Sequence, residues 1–346
     1  MSQIVDHLAE LTGFRDRDVL DVTLVGALRD LLRPQEVAIY RAIGEPGAQV
    51  WMTRARLRQG DTTPQADPLW AEPGSLPALD SAPERLACLQ RQEAVLHSAE
   101  SAWAWFPVTN EQHAVQVLEL HTARPLDAEA LRLVCSVLRI YRNFQDLLDY
   151  SERDTLTGLL NRKTFDESFL RVASAAAAPV AGAQTAVRPE LRRFAPAGQM
   201  WLAVIDIDHF KRVNDVYGHL IGDEVLLLLS RLMRSTFRFH DHLYRFGGEE
   251  FVVLMRCDDA EAAAAALDRL RQAVAAYRFP QVERITVSVG FTALRSSDSP
   301  SAAFERADLA LYHVKQNGRD GVAGHAQLVA QGHLQDRERD NKIEMF

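Results

Sequence analysis

The sequence predicts a mixed α/β protein made of two domains that one long helix connects. Two observations support this prediction. In both halves of the chain, short apolar runs of strand length alternate with longer segments whose apolar residues recur at helical spacing. Between the halves, residues 127–153 keep helical spacing throughout. A chain of 346 residues allows two or three domains, each large enough to bury a core.

The composition excludes several classes of function. With 47% hydrophobic and 25% charged residues, the chain is typical of globular proteins. A net charge of −8 argues against a dedicated nucleic-acid surface, because such surfaces neutralise phosphates with clustered Lys and Arg. The first residues lack a basic leader, and no apolar run reaches the roughly 20 residues of a membrane span. We therefore expect a cytoplasmic protein without nucleic-acid or membrane partners.

The three cysteines carry no signal for a disulfide or a metal. Cys88, Cys135 and Cys257 are scattered, and their spacing fits no set of metal ligands. We expect reduced and mostly buried thiols.

The first half of the chain predicts antiparallel strands between helices. The predicted helices cover 18–32 and 84–97, and the predicted strands cover 37–41, 50–53, 102–108 and 113–120. This order resembles a GAF domain, a small α/β sensory module whose antiparallel sheet encloses a ligand pocket. The resemblance covers about residues 10–140 and implies an unknown small-molecule or protein signal. Trp51, Trp70, Trp103 and Trp105 either line such a pocket or form the core of a domain that serves only for dimerisation.

Residues 127–153 predict a long helix with Asp127 as its N-cap. Two apolar stripes run along it. The first stripe, Leu131, Val134, Leu138, Tyr141, Gln145 and Leu148, has the a/d spacing of a coiled-coil seam. The second stripe, Leu133, Val137, Ile140, Phe144 and Leu147, widens the apolar face and favours a helix that packs on its own domain. Both arrangements can hold over different parts of the helix.

The second half predicts a buried strand that ends in carboxylates. Residues 200–205 form a continuous apolar run, as expected of a central strand covered on both faces, and Asp206 follows it. Further on, Gly247 and Gly248 lie between two apolar runs, which predicts a tight hairpin with a bare backbone tip that phosphates can approach. Glu249 and Glu250 follow directly, on successive positions of the departing strand. Carboxylates in these places suit Mg²⁺, which takes oxygen ligands from proteins and from substrate phosphates.

The remaining elements complete a strand, helix, hairpin, helix and strand order. Asn214 is predicted in a turn, Asp223 as the N-cap of a helix over 224–233, and further elements are a helix over 259–276, a strand over 284–291 and a last helix that carries Lys315 and Arg319. This order fits a ferredoxin-like βαββαβ palm. Residues 173–200, rich in Ala, Pro and Gly, predict a mobile loop, and residues 322–346 a polar tail that is partly helical or disordered.

Specific motifs in this half resemble the GGDEF family of diguanylate cyclases. Asp154-x-Leu-Thr-Gly-Leu-x-Asn-Arg162 looks like the initial motif of that family, Gly247-Gly-Glu-Glu-Phe251 like a GGEEF form of its signature, and Lys315-x-x-Gly-Arg-Asp320 like its closing motif. Asp320 stands where the family usually has Asn. The chain then divides into a GAF-like domain (1–126), a linker helix (127–153), a GGDEF domain (154–321) and a tail (322–346).

The resemblance implies a reaction and a set of site residues. Two GTP molecules condense into cyclic di-GMP with release of two pyrophosphates, in a homodimer whose two domains face each other. It assigns Asp206, the Ile207 carbonyl, Glu249 and Glu250 to Mg²⁺ or Mn²⁺, and Glu249, Glu250 and Lys211 to catalysis. It assigns Phe210, Asn214, His219, Asp223, Arg245, Gly247, Gly248, Lys315 and Arg319 to GTP, of which Asn214 and Asp223 recognise the guanine edge. Arg238-x-x-Asp241 has the spacing of the family's product-inhibition site.

Other readings of these residues stay open. Lys315 and Arg319 also suit the C-terminal end of any helix, and Arg238 with Asp241 also suits a surface ion pair. A second hypothesis for the whole chain is a receptor for cyclic di-GMP or GTP that signals through protein contacts without catalysis. The retained carboxylates favour the enzyme over the receptor, and Asn214 with Asp223 argue against a cyclase that makes another dinucleotide.

Overall fold

The computed structural model describes residues 17–44, 47–68, 71, 73–98, 102–109, 115–166, 168–169 and 198–336. The chain forms two compact units, Met1–Ser151 and Glu152–Phe346. The loop predicted over 173–200 lies almost wholly outside the described residues. In the described part of the chain, none of the helices combines the length and apolar character needed to cross a membrane.

The described part of the first unit contains a five-stranded antiparallel sheet and three α-helices. Its elements are α1 (Arg17–Leu32), β1 (Glu36–Ile43), β2 (Val50–Arg58), α2 (Pro83–Arg91), β3 (Val95–Ser98), β4 (Ala102–Thr109), β5 (Val115–Thr122) and α3 (Ala128–Glu152). The strand order is β2-β1-β5-β4-β3. The helix predicted over 84–97 is therefore wrong in its second half. Gln92 has a left-handed backbone (φ 56°) that ends α2, and residues 95–98 pair with β4 instead.

One face of this sheet packs against α1 and α3. Its core joins apolar residues of both helices to alternating residues of the strands, such as Leu24 and Leu28 of α1, Ile39 of β1 and Leu118 of β5. A buried polar cluster lies within the same unit. Asp21 of α1 accepts hydrogen bonds from the Arg54 guanidinium, at 2.9 Å, and from the Tyr141 hydroxyl of α3. Burial, with the adjacent Asp21 charge, holds the pKa of Tyr141 well above its usual value, so the phenol stays a donor.

The long helix α3 buries its first stripe within the first unit. Asp127 caps it as predicted, accepting from the Ala130 N–H at 2.8 Å. The buried residues of the helix are Val134, Val137, Leu138, Tyr141, Gln145, Leu148 and Asp149. The seam predicted for a coiled coil is thus largely covered by the domain's own core, which confirms the alternative of a helix packed on its own domain for this stripe. On the second stripe, Leu147 is 64% exposed.

The other face of the sheet carries an aromatic core. Trp51 and Trp105 are buried with Tyr40 and Cys88. The indole N–H of Trp51 donates to the Leu79 carbonyl at 3.1 Å, and that of Trp105 to Glu119 at 2.7 Å. These two tryptophans are therefore core residues with satisfied polar groups.

The remaining aromatic and thiol predictions have mixed outcomes. Trp103 stacks on His121 with ring centroids 4.1 Å apart, and Trp70 lies outside the described residues. Burial raises the pKa of the Cys88 thiol to about 12, which fits the expected inert thiol. Cys135 departs from that expectation because it is exposed on α3.

The second unit is a six-stranded sheet covered by helices. Its elements are β6 (Leu160–Asn161), β7 (Gln199–Ile207), α4 (Phe210–Tyr217), α5 (His219–Thr236), β8 (His242–Gly247), β9 (Glu250–Cys257), α6 (Ala260–Ala276), β10 (Val287–Ala293), α7 (Pro300–Gln316), β11 (Val322–Gly324) and α8 (His325–Ala330). The strand order is β11-β10-β7-β9-β8-β6. Its middle four strands have the order of a ferredoxin-like βαββαβ unit, as predicted. Residues 322–330, predicted as part of a polar tail, form β11 and α8.

Two local predictions around the first crossover are wrong. Asn214 lies inside α4 and not in a turn, and Asp223 is the fifth residue of α5 and not its N-cap. Gly218, with φ 84°, breaks the chain between the two helices, so α5 begins at His219. The sequence signal of an N-cap Asp was misleading because the preceding residues, His219 to Gly222, already continue as helix.

Close packing of β10 against α7 depends on Gly290. A Cβ at this position would lie 2.1 Å from both the Ala307 carbonyl oxygen and the Leu311 nitrogen. We expect Gly290→Ala to lower the stability of the second unit by about 1–3 kcal/mol or more, because backbone atoms must shift. Gly26→Ala in α1 is the matched control. A Cβ at Gly26 meets no atom within 4 Å, so the gain in helix propensity should stabilise by about 1 kcal/mol. Chemical denaturation of the two variants checks both signs, and equal effects would contradict this packing.

Candidate active site

The end of β7 and the start of β9 bring two carboxylates together. In the antiparallel ladder, Asp206 is the partner of Glu250, and on the other side of β7 it is the partner of Ser288 in β10. Directly opposite residues on one sheet are close neighbours. Asp206 is buried, with 5% of its surface exposed. The strand register therefore brings Asp206 and Glu250 together, as predicted.

The glycine hairpin turns one residue later than the sequence predicted. Gly247 pairs with Glu250, so Gly248 and Glu249 form the turn. Gly247 has φ 146° and Gly248 φ 52°, backbone angles that favour glycine. Glu249 is consequently a turn residue and not the first strand residue, and the two glutamates do not alternate across a strand as predicted.

Both glutamates share the electrostatic environment of Asp206. Burial raises the pKa of Asp206, and the Lys315 ammonium 2.8 Å from its Oδ1 works against that rise. Partial burial also raises the pKa of Glu249 and that of Glu250, and the Asp206 charge adds to both shifts. Each ionisation in this cluster is thus opposed by desolvation and by its neighbours. Excess negative charge accumulates here, and Lys315 offsets part of it.

A hard divalent cation fits these donors. Carboxylate oxygens are its preferred ligands, and a cation would relieve the repulsion that raises the three pKa values. Among the described residues, no three His, Cys, Asp or Glu side chains already stand close enough to hold a metal alone. Mg²⁺ is usually held by one or two carboxylates together with substrate phosphates. Ile207, whose carbonyl was predicted as a ligand, is fully buried directly after Asp206.

Arg245 stabilises the hairpin tip through hydrogen bonds to Gly248 and Asp154. Its Nη2 donates to the Gly248 carbonyl at 2.9 Å, and its Nη1 donates to Asp154 at 3.0 Å. Asp154 also accepts from the Thr157 N–H at 2.8 Å. The initial motif of the second unit therefore fastens the hairpin, and the Arg245 guanidinium, predicted to bind substrate, is engaged in that fastening.

The residues predicted to recognise guanine lie where α4 meets α5. The Asn214 side chain passes so close to Gly222 that a Cβ there would lie 2.0 Å from Asn214 Oδ1. Gly222 is thus required for the placement of Asn214, and exposed Asp223 is the next residue. Phe210 is buried in the core and also borders Gly222. His219 is exposed in the first turn of α5, and Lys211 is exposed in the first turn of α4. Among the described residues, no contact is seen between Lys211 and the carboxylates.

Two basic residues at the end of α7, Lys315 and Arg319, have different environments. Lys315 contacts Asp206, as described above, whereas Arg319 is exposed in the turn after the helix. The sequence placed both on substrate phosphates. A phosphate at the hairpin tip would compete with Asp206 for the Lys315 ammonium.

The predicted product-inhibition motif forms a tight turn after α5. The Arg238 N–H donates to Asp241 Oδ2 at 2.9 Å, and the Asp241 N–H donates to the Arg238 carbonyl at 3.0 Å. Arg238 is exposed, while the Asp241 side chain is 5% exposed. Asp241 Oδ1 and His240 Nδ1 are buried without a hydrogen-bond partner among the described residues. Burial raises the pKa of Asp241 and lowers that of His240.

Three residues near the carboxylates were not singled out from the sequence. Asp308 of α7 adds to the pKa rise of both Asp206 and Glu250, and Arg162 opposes that of Glu250. Asp208 is buried two residues after Asp206 and accepts from Ser288 and Thr286, each at 2.7 Å. Helical spacing gives Asp308 and Lys315 the same face of α7, since they are seven residues apart, and this was the available signal.

Comparison with known proteins agrees with this geometry. Residues 151–321 match the family described as diguanylate cyclase, GGDEF domain. Diguanylate cyclase DgcP of Pseudomonas aeruginosa is 41% identical over 183 residues, which are 52% of this chain and 25% of that protein. Diguanylate cyclase DgcZ of Escherichia coli is 36% identical over 173 residues, 49% of this chain and 52% of that protein. The chain thus spans between a quarter and about half of the length of these relatives.

A solved structure shares the same part of the chain. The coiled coil and GGDEF domain of DgcB from Caulobacter crescentus, in complex with c-di-GMP, is 28% identical and covers 57% of this chain and 97% of that chain, with a TM-score of 0.47. The family match rests on the sequence of residues 151–321, which contain the hairpin, the carboxylates and the closing helix described above. Residues 151–321 thus form a GGDEF domain, the domain that is also found in these diguanylate cyclases.

Proposed function

We propose that the protein is a diguanylate cyclase that condenses two GTP molecules into cyclic di-GMP and two pyrophosphates. The observation that carries the proposal is the register of the second sheet, which sets Asp206 opposite Glu250 beside a glycine turn, with Lys315 2.8 Å from Asp206. Carboxylates for a cation, bare backbone for phosphate and a mobile ammonium are the parts that nucleotidyl transfer requires. The whole set lies within residues 151–321, which match the family.

The chain's own residues divide the work of the reaction. The exposed backbone at Gly247 and Gly248 receives phosphate oxygens, and Arg245 keeps this tip in place through the Gly248 carbonyl. Lys315 and Arg319 supply positive charge to the triphosphate. Asn214 and Asp223 offer the acceptor and donor groups that the guanine edge requires, so adenine would leave them unpaired.

The proton of the attacking 3′-hydroxyl has a suitable acceptor in Glu250. Its raised pKa, caused mainly by burial, makes it a better proton acceptor than an ordinary carboxylate. Asp206, Glu249 and Glu250 would hold Mg²⁺ or Mn²⁺ together with the phosphates. When bound, such a cation lowers the pKa of the attacking hydroxyl and stabilises the leaving pyrophosphate. The receptor hypothesis has no need of this ionised cluster, which is why the enzyme is the better proposal.

We expect Glu249→Gln and Glu250→Gln each to reduce cyclic di-GMP formation by about a hundredfold or more, because each removes a charge from the cluster without changing its shape. Chromatography of the products of GTP and Mg²⁺ measures this, with pyrophosphate release counted in parallel. Glu261→Gln, on the exposed side of α6, is the matched control and should keep the wild-type rate. Dimeric wild-type protein that makes no cyclic di-GMP would refute the enzyme and leave the receptor hypothesis.

We also propose that the active form is a homodimer in which the second stripe of α3 lies at the contact between chains. The reaction needs two GTP-loaded domains, so a single chain is an incomplete catalyst. The first stripe is largely buried within its own unit. In the second stripe Val137 is buried in the same core and Phe144 packs against it, so the apolar surface left toward solvent is mainly that of Leu147. This stripe runs to the last turn before the second unit begins at Glu152.

The first unit is proposed to be a GAF-like sensory domain that regulates the cyclase through α3. Support comes from its five-stranded antiparallel sheet with helices on both faces and from the direct continuation of its last helix to the catalytic unit. The signal that it receives is an unnamed small molecule or protein.

Leu147→Glu should weaken the dimer about tenfold, because it adds a charge to an apolar contact without disturbing the core of the first unit. Sedimentation and specific activity as a function of protein concentration measure this, and high concentration should restore the rate. Cys135→Glu, at another exposed position of α3 away from the stripe, is the control. A rate that stays constant while the protein is monomeric would contradict the dimer proposal.

A chain that begins at Tyr150 tests whether the first unit regulates the cyclase. If it does, the rate of cyclic di-GMP formation should differ between this shorter chain and the full chain.

The turn of Arg238 and Asp241 is proposed as the site of product inhibition. Arg238 offers an exposed guanidinium for a phosphate or a guanine edge, and it lies next to the Asp241 carboxylate, whose Oδ1 is 3.9 Å from His240 Nε2.

Arg238→Ala should raise the cyclic di-GMP concentration that halves the rate by about tenfold, since one charge-assisted hydrogen bond is lost. Inhibition curves with added cyclic di-GMP measure this concentration. Arg231→Ala, an exposed arginine of α5, serves as the control. Unchanged inhibition in Arg238→Ala would show that the product acts elsewhere or only at the active site.

A further inference from the structure

The turn that carries Arg319 has an unfavourable backbone. Gly318, Arg319 and Asp320 follow one another with φ values of 110°, 63° and 42°. Glycine adopts such angles freely, but two successive residues with side chains do so only when their surroundings hold them. Contacts from outside the turn must therefore hold this backbone, and with it the direction in which the Arg319 side chain extends.

Two contacts from distant elements hold Asp320. Its backbone N–H donates to Asp208 Oδ2 at 3.0 Å, and its carboxylate accepts from Arg271 Nη1 of α6 at 2.8 Å. Within the turn itself, the Arg319 N–H donates to the Val314 carbonyl at 3.0 Å. Hydrogen bonds to both the backbone and the side chain thus hold Asp320 in place.

Asp208 connects this turn to the carboxylate cluster. It is buried, and its two oxygens also accept from the Thr286 and Ser288 hydroxyls of the neighbouring chain segment. Ser288 is in turn the ladder partner of Asp206. The strand end that carries Asp206 and the turn that carries Arg319 are therefore fixed relative to each other by one side chain.

Arg271 is oriented before it reaches Asp320. Its Nε donates to Asp268 one turn earlier on α6 at 2.6 Å, which leaves Nη1 for Asp320. Two carboxylates hold the guanidinium, so it is better ordered than a lone surface arginine. Asp320 stands where the family usually has Asn, and the charged residue is what allows an ion pair here.

We propose that Arg271 and Asp208 are positioning residues, which hold Asp320 so that Arg319 points its guanidinium at a phosphate of the substrate. The inference rests on the proposed function, because it takes the ligand of Arg319 to be a nucleoside triphosphate. Neither residue touches the substrate. Arg271 acts from 49 positions away in the sequence, through the ion pair with Asp320.

A kinetic cycle through Arg319 tests this. Arg271→Ala should raise the KM for GTP about two- to fivefold, the range expected of one partly exposed ion pair, with kcat nearly unchanged. Arg319→Ala should raise KM at least as much. In the Arg271→Ala/Arg319→Ala double variant, KM should equal that of Arg319→Ala alone, because Arg271 has no other route to the substrate. Asp320→Ala, which removes the same ion pair from its other side, should behave like Arg271→Ala, and Asp320→Asn, which keeps an acceptor, should lie nearer the wild type.

The controls separate the possible failures. Arg278→Ala, an exposed arginine just after α6, should leave KM unchanged, and thermal unfolding of every variant shows whether the fold persists. KM effects of Arg271→Ala and Arg319→Ala that multiply in the double variant would overturn the inference, as would an unchanged KM in both Arg271→Ala and Asp320→Ala. In either case the wild type still makes cyclic di-GMP, and the proposed function stands. Wild-type protein that makes none overturns the function, and the inference with it.

Discussion

The constraint on which the second unit depends is the concentration of carboxylates at one end of its central strands. Asp206 leaves β7 opposite Glu250, and Glu249 precedes Glu250 in the hairpin turn. Burial raises the pKa of all three, and charges of neighbouring carboxylates add to each shift, so the folded chain holds unfavourable charge at this place. Lys315 relieves part of it in the absence of ligand. A cluster of this kind suits a divalent cation, which would neutralise the carboxylates.

Much of the surrounding structure serves to hold these groups against that repulsion. Arg245 braces the carbonyl at the hairpin tip and is itself held by Asp154. Asp208 fastens the end of β7 to the segment at Thr286 and Ser288 and to the turn after α7. Charged residues that look catalytic in the sequence therefore fall into two groups. One group lies at the carboxylate cluster and the glycine hairpin. The other group, such as Arg245 and Asp208, makes hydrogen bonds between elements that are distant in the chain.

The long helix α3 meets two requirements with one sequence. Its first stripe completes the core of the first unit, where Tyr141 is tied to Asp21 by a buried hydrogen bond. Its second stripe is left with Leu147 toward solvent, in the last turns before the second unit. A signal that loosens or tightens the packing of the first stripe would move the second one with it, because both belong to the same rigid helix. Helix geometry alone thus links the buried core of the first unit to the exposed apolar surface at Leu147.

The sequence by itself determined most of the elements, the βαββαβ palm and the meeting of Asp206 with the Gly-Gly-Glu-Glu hairpin, because apolar periodicity, glycine pairs and motif spacing are local signals. Only the tertiary structure decided how much of each stripe of α3 is buried, since burial depends on what the sheet presents to the helix. It also decided that Glu249 lies in the turn, that α5 begins before Asp223 and that Arg245 binds Gly248 and Asp154. Asp208 and Arg271 acquire their roles from partners 49 to 112 positions away, at distances along the chain that no local pattern encodes.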